Sequence, residues 1–179
     1  MRNNLNEIYF DSDNNIEIFP EMVNIKSFDE FLFEYLDTIQ RLSGVMVIVD
    51  DKVLLVKPKK FRETPEKWSI PKGKIDKDFS IMNNAVRELE EETGIKLLKT
   101  QIKESDKTKI FYKKSGTIKE LSVYVIRLDK DDLTVNMNKK WEVHKKHFDT
   151  DEVYKARFFT KQQAIDKIEL GQMPLLKYM

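Results

Sequence analysis

Apolar and polar residues follow one another in patterns that predict both strands and helices. Val45–Val49 and Val53–Val56 are β-branched apolar runs separated by Asp50-Asp51-Lys52, a pattern that predicts a β-hairpin. Further strands are predicted over Trp68–Ile70, Ile95–Ile102, Lys109–Lys113, Ile118–Leu128 and Val153–Phe159. Near the start of the chain, Ile8–Phe10 and Ile16–Phe19 predict either a short strand pair or an arm over the domain.

Three segments carry apolar residues at helical spacing. The first starts at Ser27, where Ser27-Phe28-Asp29-Glu30 has the spacing of a capping box, and it is predicted to run to near Gly44. The second covers Ile81–Thr93, and the third covers Lys161–Leu170. The charged residues 129–151 predict a long loop. Helices that alternate with strands in this order indicate an α/β protein with a mixed sheet between helices.

Composition narrows the class of protein. The chain has 179 residues, the size of one domain or of one domain with an added element. It contains no cysteine, which excludes disulfides, thiolate zinc sites and a cysteine nucleophile. The 32 basic residues nearly balance the 31 acidic ones, so any attraction to nucleic acid must be local. No apolar run approaches the roughly 20 residues of a membrane-spanning helix, and we expect a soluble cytoplasmic protein.

The helix Ile81–Thr93 carries an acidic stripe beside its apolar face. Glu88, Glu91 and Glu92 are three and four residues apart, so their carboxylates repel one another. They also lie in the C-terminal half of the helix, where the helix dipole disfavours anions. One interpretation is a solvated acidic face, and the other is a site for hard divalent cations. The preceding segment Pro71-Lys72-Gly73-Lys74 favours the second, because glycine permits close backbone approach and lysines bind phosphate.

These two segments together resemble a known sequence motif. Gly73, followed by Arg87-Glu88-Leu89-x-Glu91-Glu92-x-Gly94-Ile95, resembles the Nudix box, with eight matching positions over 23 residues. The resemblance implies a Nudix-type α/β/α sandwich with a mixed β-sheet, plus an N-terminal helical extension. We therefore divide the chain into an extension at residues 1–43 and a Nudix hydrolase domain at residues 44–179.

One position departs from the box. Phe79 stands where the box has its first glutamate, and Asp78 lies one residue earlier. In the family this glutamate supports the loop and the metal site. Three outcomes follow as alternatives: Asp78 or water replaces it, metal binding is weakened or altered, or activity is lost. Ser80 is free to cap the helix in each case.

The resemblance also implies a reaction and a set of site residues. It implies hydrolysis of a nucleoside diphosphate linked to another group, with Mg²⁺ or Mn²⁺ as the cofactor. The implied metal ligands are the carbonyl of Gly73 and the side chains of Glu88, Glu91, Glu92 and Glu152. The catalytic residues are expected to be Glu91, Arg87, which orients a metal-binding glutamate, and Glu152, the candidate general base. Glu120, Asp151, His144 and His147 are the alternatives to Glu152.

The substrate is expected to carry several phosphates. Pro71-Lys72-Gly73 is similar to the sequence in mRNA-decapping and diadenosine polyphosphate hydrolase members of the family. Lys57, Lys72 and Lys74 are the expected phosphate-binding residues. The basic stretch from Lys57 to Lys67 contains Phe61, a combination that suits an RNA 5′ end, although a solvated loop is the alternative.

We therefore expect a pyrophosphohydrolase that acts on capped or triphosphorylated RNA. We expect no membrane partner. A hydrolase of dinucleoside polyphosphates or inositol pyrophosphates is the second hypothesis. A weakly catalytic binding module is the third. The sequence predicts no oligomeric state.

Overall fold

The structure of the protein is a computed structural model that describes residues 9–10, 16–17, 39–64 and 67–179. The predicted helix that starts at Ser27 lies outside the described residues up to position 38. Within the described ranges, no helix has the length and apolar character that crossing a membrane requires.

One mixed sheet contains the eight strands found in the described ranges. The strands are β1 Tyr9–Phe10, β2 Ile16–Glu17, β3 Gln40–Val49, β4 Lys52–Pro58, β5 Lys72–Lys74, β6 Lys107–Lys114, β7 Thr117–Arg127 and β8 Val153–Thr160. Their order across the sheet is β2, β1, β6, β7, β3, β4, β8, and β5 pairs with β3. The pair of β3 and β7 is parallel and the other pairs are antiparallel, which confirms the predicted mixed sheet.

The predicted hairpin of β3 and β4 is confirmed at its turn. Asp50 and Asp51 both have positive φ, 44° and 60°, as a tight turn between β3 and β4 requires. Near the start of the chain, β1 pairs with β2 as the predicted short strand pair, and β1 also pairs with β6 through Phe10 and Phe111.

The prediction that the first helix continues to near Gly44 is wrong, because β3 already begins at Gln40. The backbone from Gln40 to Gly44 is hydrogen-bonded to β7, and from Leu42 to Gly44 it is also paired with β5 on the other side. A central strand with partners on both edges has its backbone groups satisfied by the sheet, so tertiary pairing overrides the helical spacing.

Two helices lie among the described residues, α1 at Ile81–Thr93 and α2 at Lys161–Ile165. The bounds of α1 are those predicted. The helix α2 is shorter than the predicted Lys161–Leu170, because the backbone of residues 167–169 pairs with Trp68 instead of continuing the helix. A 3₁₀ segment at Leu170–Tyr178 follows, and we call it the C-terminal segment.

The predicted strand Ile95–Ile102 is also wrong, since this stretch is irregular. Ile95 and Ile102 are buried, but Leu98 between them is 67% exposed. The amide of Lys96 donates to the hydroxyl of Thr134 at 3.0 Å rather than to a neighbouring strand. Ile95 and Ile102 therefore anchor an irregular loop in the core, which explains the apolar residues that suggested a strand.

Two apolar layers cover the two faces of the sheet, as expected for an α/β/α sandwich. On one face α1 packs through Ala85 and Leu89 against side chains of β3, β4, β7 and β8. On the other face α2 and the C-terminal segment pack through Ala164, Leu175 and Leu176. The catalytic candidates on α1 therefore lie at the margin of the first layer.

The C-terminal segment supports the chain just before Pro71. The side-chain carbonyl of Gln172, which is fully buried, accepts a hydrogen bond from the amide of Ile70 at 3.0 Å. The predicted strand Trp68–Ile70 is reduced to single bridges, from Trp68 to Ile168 and from Ser69 to Val56. The backbone of residues 68–70, which leads into Pro71, is thus held by residues about 100 positions later in the sequence.

Candidate active site

The helix α1 is fixed at both ends, which sets the direction of its acidic side chains. The hydroxyl of Ser80 accepts a hydrogen bond from the amide of Asn83 at 3.1 Å, so the predicted N-cap is confirmed. Gly94 ends the helix with φ of 74°, and its amide donates to the carbonyl of Glu90. Since the apolar face packs on the sheet, Glu88 and Glu92 face the loop at residues 71–74.

Arg87 joins two of the three acidic residues. Its Nη1 donates to Glu91 and its Nη2 donates to Glu88, both at 2.6 Å. The same Nη2 also donates to the side chain of Asn84 at 3.1 Å. The sequence left open whether Arg87 pairs with Glu91 or orients Glu88, and in the structure it does both.

Glu88 lies directly against the backbone of Gly73. A Cβ atom added at Gly73 would overlap the carboxylate of Glu88, so this position has room for glycine alone unless Glu88 moves. Burial raises the pKa of Glu88; Arg87 opposes the rise, whereas the charges of Glu91 and Glu152 add to it. The helix segment from Arg87 to Thr93 therefore lies beside a loop that precedes it in the sequence by more than a dozen residues.

Glu92 turns toward the same loop. Its carboxylate accepts a hydrogen bond from the backbone amide of Lys72 at 2.9 Å. Burial raises the pKa of Glu92 to about 8; Lys72 opposes the rise through its charge and this hydrogen bond, and Glu88 and Glu152 add to it. Carboxylates that are costly to ionise together are typical of sites that act on a bound ligand or cation.

Of the general-base candidates, Glu152 is the one whose charge reaches the carboxylates of Glu88 and Glu92. It is exposed, and it directly precedes β8. Asp151 is instead paired with Lys59 at 2.8 Å, which lowers the pKa of Asp151. Glu120 is paired with Lys109 at 2.8 Å and with Arg41 at 3.6 Å.

The two histidines lie in the long loop, at either end of a short 3₁₀ turn. Nε2 of His147 accepts a hydrogen bond from the amide of Asn136 at 3.2 Å. Burial lowers the pKa of His147, and the neighbouring Lys146 and His144 lower it further. His147 is thus engaged in holding the loop, and His144 is exposed.

The expected phosphate-binding lysines differ in their surroundings. Lys74 is exposed, whereas Lys57 is buried with its ammonium 5.8 Å from the ring centre of Trp68. The ammonium of Lys72 donates to the hydroxyl of Ser69 at 3.2 Å. Burial lowers the pKa of Lys72, Glu92 and Glu169 oppose the change, and Lys114 and Lys60 add to it.

More lysines gather here than the sequence suggested. Lys60 and Lys114 place their ammonium groups 5.1 and 5.6 Å from the ring centre of Phe61, and Lys114 also pairs with Glu169. Burial lowers the pKa of Lys119, and Lys114, Lys74 and Lys72 lower it further. We call Lys60, Lys72, Lys74, Lys114 and Lys119 the lysine group.

Sequence reasoning missed Asn84, which is fully buried within α1. Its amide nitrogen donates to the hydroxyl of Ser43 at 2.9 Å, and its oxygen accepts from the amide of Asp76 and from Arg87. Asn84 therefore ties the helix to β3 and to the loop. The available signal was its position in the sequence, one helical turn before Glu88 on the same side of the helix.

Comparison with known proteins decides the family. The family model described as NUDIX domain matches residues 39–179. The chain belongs to the Nudix family. The uncharacterized Nudix hydrolase YvcI of Bacillus subtilis (strain 168) is 36% identical over 66 residues, a match that covers 36% of this Nudix protein and 39% of that relative.

Solved structures share the fold of this Nudix protein. The crystal structure of an Ap4A hydrolase binary complex from C. elegans has a TM-score of 0.58 at 21% identity, covering 77% of this chain and 93% of that chain. The bifunctional NMN adenylyltransferase/ADP ribose pyrophosphatase of Francisella tularensis, crystallised with AMP and a Mn ion, has a TM-score of 0.56 at 18% identity. That match covers 82% of this chain and 45% of the other. At these identities the likeness shows the fold.

Nudix hydrolases generally use divalent metal ions, and the donors in this Nudix protein fit such an ion. Oxygen donors are what Mg²⁺ and Mn²⁺ prefer, and Glu88 lies where a Cβ at Gly73 would be. Among residues 39–64 and 67–179, no three acidic or histidine side chains already converge as a ligand cluster. Arg87 instead holds Glu88 and Glu91, and Lys72 holds Glu92.

Proposed function

We propose that this Nudix protein is a metal-dependent pyrophosphohydrolase whose substrate is a capped or triphosphorylated RNA 5′ end. The observation that carries the hydrolytic part is the contact between Glu88 and Gly73, with Glu91 joined to Glu88 through Arg87. Arg87 thus holds two carboxylates of α1 together, one of them against a tight loop. Family membership supports the same reaction class.

The proposed metal site uses the carbonyl of Gly73 and the carboxylates of Glu88, Glu91, Glu92 and Glu152. Bound Mg²⁺ or Mn²⁺ would supply Lewis acidity and a lowered pKa for a coordinated water. Arg87 would set the direction of Glu88 and Glu91. Lys72 and Lys74 lie on the short strand β5, within the loop at residues 71–74, and would neutralise the negative charge of the substrate phosphates.

Glu152 is our candidate for the base that takes a proton from the attacking water. The charge on its side chain acts on Glu88 and Glu92, while Asp151 and Glu120 are engaged in ion pairs. A general base must reach the proton that it removes, and exposure beside the acidic helix gives Glu152 that access.

The lysine group supports a substrate with several phosphates. Burial lowers the pKa of Lys72 and of Lys119, and the charges of other members of the group lower both further. An anion bound near these lysines would relieve the repulsion. The ring centre of Phe61 lies 5.1 and 5.6 Å from the ammonium groups of Lys60 and Lys114, and an aromatic ring near cations suits a nucleobase joined to phosphates.

Two alternatives make different use of the same residues. Dinucleoside polyphosphates and inositol pyrophosphates would also meet the lysine group, without a requirement for an RNA chain. A weakly catalytic binding module is suggested by Phe79 in place of the box glutamate. The cytoplasmic location and the division at residues 43 and 44 remain predictions.

The test is a substrate panel with Mg²⁺ and with Mn²⁺, containing capped RNA, triphosphorylated RNA, dinucleoside polyphosphates and inositol pyrophosphates. We expect release of a cap nucleotide or of pyrophosphate from RNA, and a loss of about 100-fold or more in Glu91→Gln. Glu90→Gln is the matched control, because Glu90 pairs with Lys96 at 2.9 Å, away from the loop.

Each result separates the alternatives. If small polyphosphates are cleaved and the RNA substrates are left intact, the second hypothesis replaces the RNA proposal. Tight binding without turnover would support the binding module. Equal activity in Glu91→Gln and Glu90→Gln would contradict the proposed metal site. For the base, Glu152→Gln should lower kcat, whereas Asp151→Asn should leave kcat unchanged.

A further inference from the structure

Phe79 is the box departure, and the structure shows where its ring lies. The side chain is 41% exposed, and its ring centre is 5.4 Å from Cζ of Arg87. The guanidinium of Arg87 thus has an aromatic ring beside it, at the position where the box has a carboxylate. Attraction between a cation and the face of an aromatic ring is a recognised contact at this distance.

Arg87 has one donor that nothing satisfies. Its Nη atoms bind Glu88, Glu91 and Asn84, but its Nε is buried and has no hydrogen-bond acceptor among the described residues. A phenyl ring offers no lone pair to this N–H. The acidic partners of Arg87 are therefore Glu88 and Glu91 themselves, which are two of the proposed metal ligands.

We propose that Phe79 acts as a positioning residue that makes Arg87 an internal counter-ion for Glu88 and Glu91. The inference rests on the proposed metal site. The ring of Phe79 contacts the guanidinium but carries no negative charge that would neutralise it, so both Nη atoms stay directed at the two carboxylates. A divalent cation that binds there must compete with Arg87. Phe79 thereby lowers the affinity of this site for divalent cations.

The geometry of Arg87 supports this assignment over a passive surface role for Phe79. The guanidinium is fixed from the helix side by Asn84, whose oxygen also accepts from the amide of Asp76. The ring of Phe79 is the neighbour of the guanidinium that offers it no acceptor. A carboxylate or amide at that residue would give Nε an acceptor and would draw the guanidinium from the metal ligands.

The test measures Mn²⁺ affinity from the electron paramagnetic resonance signal of free Mn²⁺, with circular dichroism as a check on folding. We expect Phe79→Glu and Phe79→Gln to bind Mn²⁺ more tightly than the wild type, by about tenfold for the glutamate. Phe79→Leu, which keeps an apolar side chain and adds no acceptor, is the matched control and should change the affinity little. Equal affinity in all four proteins would overturn the proposal.

A double-mutant cycle shows whether the effect passes through Arg87. In an Arg87→Gln background, Phe79→Glu should give no further increase in Mn²⁺ affinity. If the increase persists there, residue 79 binds the metal directly and the positioning role is wrong. If the wild type binds no Mn²⁺ at all, the proposed metal site fails together with this inference, whereas binding that is insensitive to residue 79 overturns only the inference.

Discussion

The carboxylate of Glu92 accepts a hydrogen bond from the backbone amide of Lys72, 20 residues earlier in the chain. This bond fastens the C-terminal end of α1 to strand β5 in the loop that carries Gly73. Glu92 thus holds the helix to the loop through Lys72, and the carboxylate of Glu88 lies against Gly73. Only one of them, Glu88, is also bound by Arg87.

The raised pKa of Glu92 predicts a pH-dependent stability of the metal-free protein. Because the folded-state pKa is about 8 and the ordinary value is 4.5, the folded protein binds more protons than the unfolded chain between these pH values. The free energy of unfolding should therefore fall as pH rises through this window, by on the order of 1–3 kcal/mol. Urea unfolding in the presence of a chelator, at several pH values, measures it.

The matched variant isolates Glu92 from other titrating groups. Glu92→Gln keeps the acceptor oxygen for the amide of Lys72 but cannot ionise. Its unfolding free energy should be less dependent on pH than that of the wild type between about 4.5 and 8, and the two proteins should differ most at the alkaline end. Parallel pH curves for the two proteins would contradict the raised pKa.

Gly73→Ala should separate activity from stability. The new methyl group overlaps the carboxylate of Glu88, which is the far end of a flexible side chain and can swing aside at small cost. We expect a loss of activity of about 100-fold or more with a change in unfolding free energy of about 1 kcal/mol or less. Comparing kcat/KM with denaturant unfolding of the same preparation tests both parts.

Gly116→Ala is the control for Gly73→Ala, because we expect it to lower stability and to leave activity unchanged. Gly116 has φ of 79° in the turn between β6 and β7, and a Cβ there would meet no neighbouring atom. The change should cost about 1–2 kcal/mol of stability through backbone strain, with kcat/KM retained. A fully active Gly73→Ala enzyme would argue against a catalytic role for the contact with Glu88.

Asn84→Ala should destabilise the protein. The substitution removes the partner of the Ser43 hydroxyl and the acceptor for the amide of Asp76, both at the buried junction of α1 with β3 and the loop. The expected loss is about 1–3 kcal/mol, which thermal or denaturant unfolding can measure. Asn83→Ala, at the exposed neighbouring position, should change stability by about 0.5 kcal/mol or less.

The lysine group predicts a salt dependence of RNA binding. Replacing Lys60 and Lys74 by alanine removes two of the proposed phosphate contacts, so the slope of log Kd against log salt should decrease by roughly 1.4 for a single strand. The double variant Lys139→Ala, Lys140→Ala changes charge equally in the long loop and should leave the slope unchanged. Equal slopes in both double variants would exclude the lysine group as an RNA contact.

Local patterns were sufficient for the elements whose spacing and ends are set by residues close together in the sequence. The helix α1 and the hairpin of β3 and β4 could be predicted because their periodicity and caps agree. The start of β3 could not, because the helical spacing before Gly44 says nothing about β7, which lies more than 70 residues later and provides the parallel partner. Long-range pairing decided that boundary.

The same distinction applies to the site. The box residues could be named because their spacing is contained within one helix and one loop. The sequence could not show that Arg87 binds Glu88 and Glu91 together, that Glu92 turns to Lys72, or that Lys114 of β6 lies close to the ring of Phe61. These relationships depend on side-chain directions and on contacts between distant segments.

The hydrogen bond from Ile70 to Gln172 has a practical bearing on how variants of this protein are designed. Gln172 is fully buried and holds the backbone one residue before Pro71, so residues 170–178 support the loop that carries Gly73. We expect that shortening the chain before Leu170, or fusing a bulky label near Gln172, would disturb the proposed metal site from the opposite layer of the sandwich.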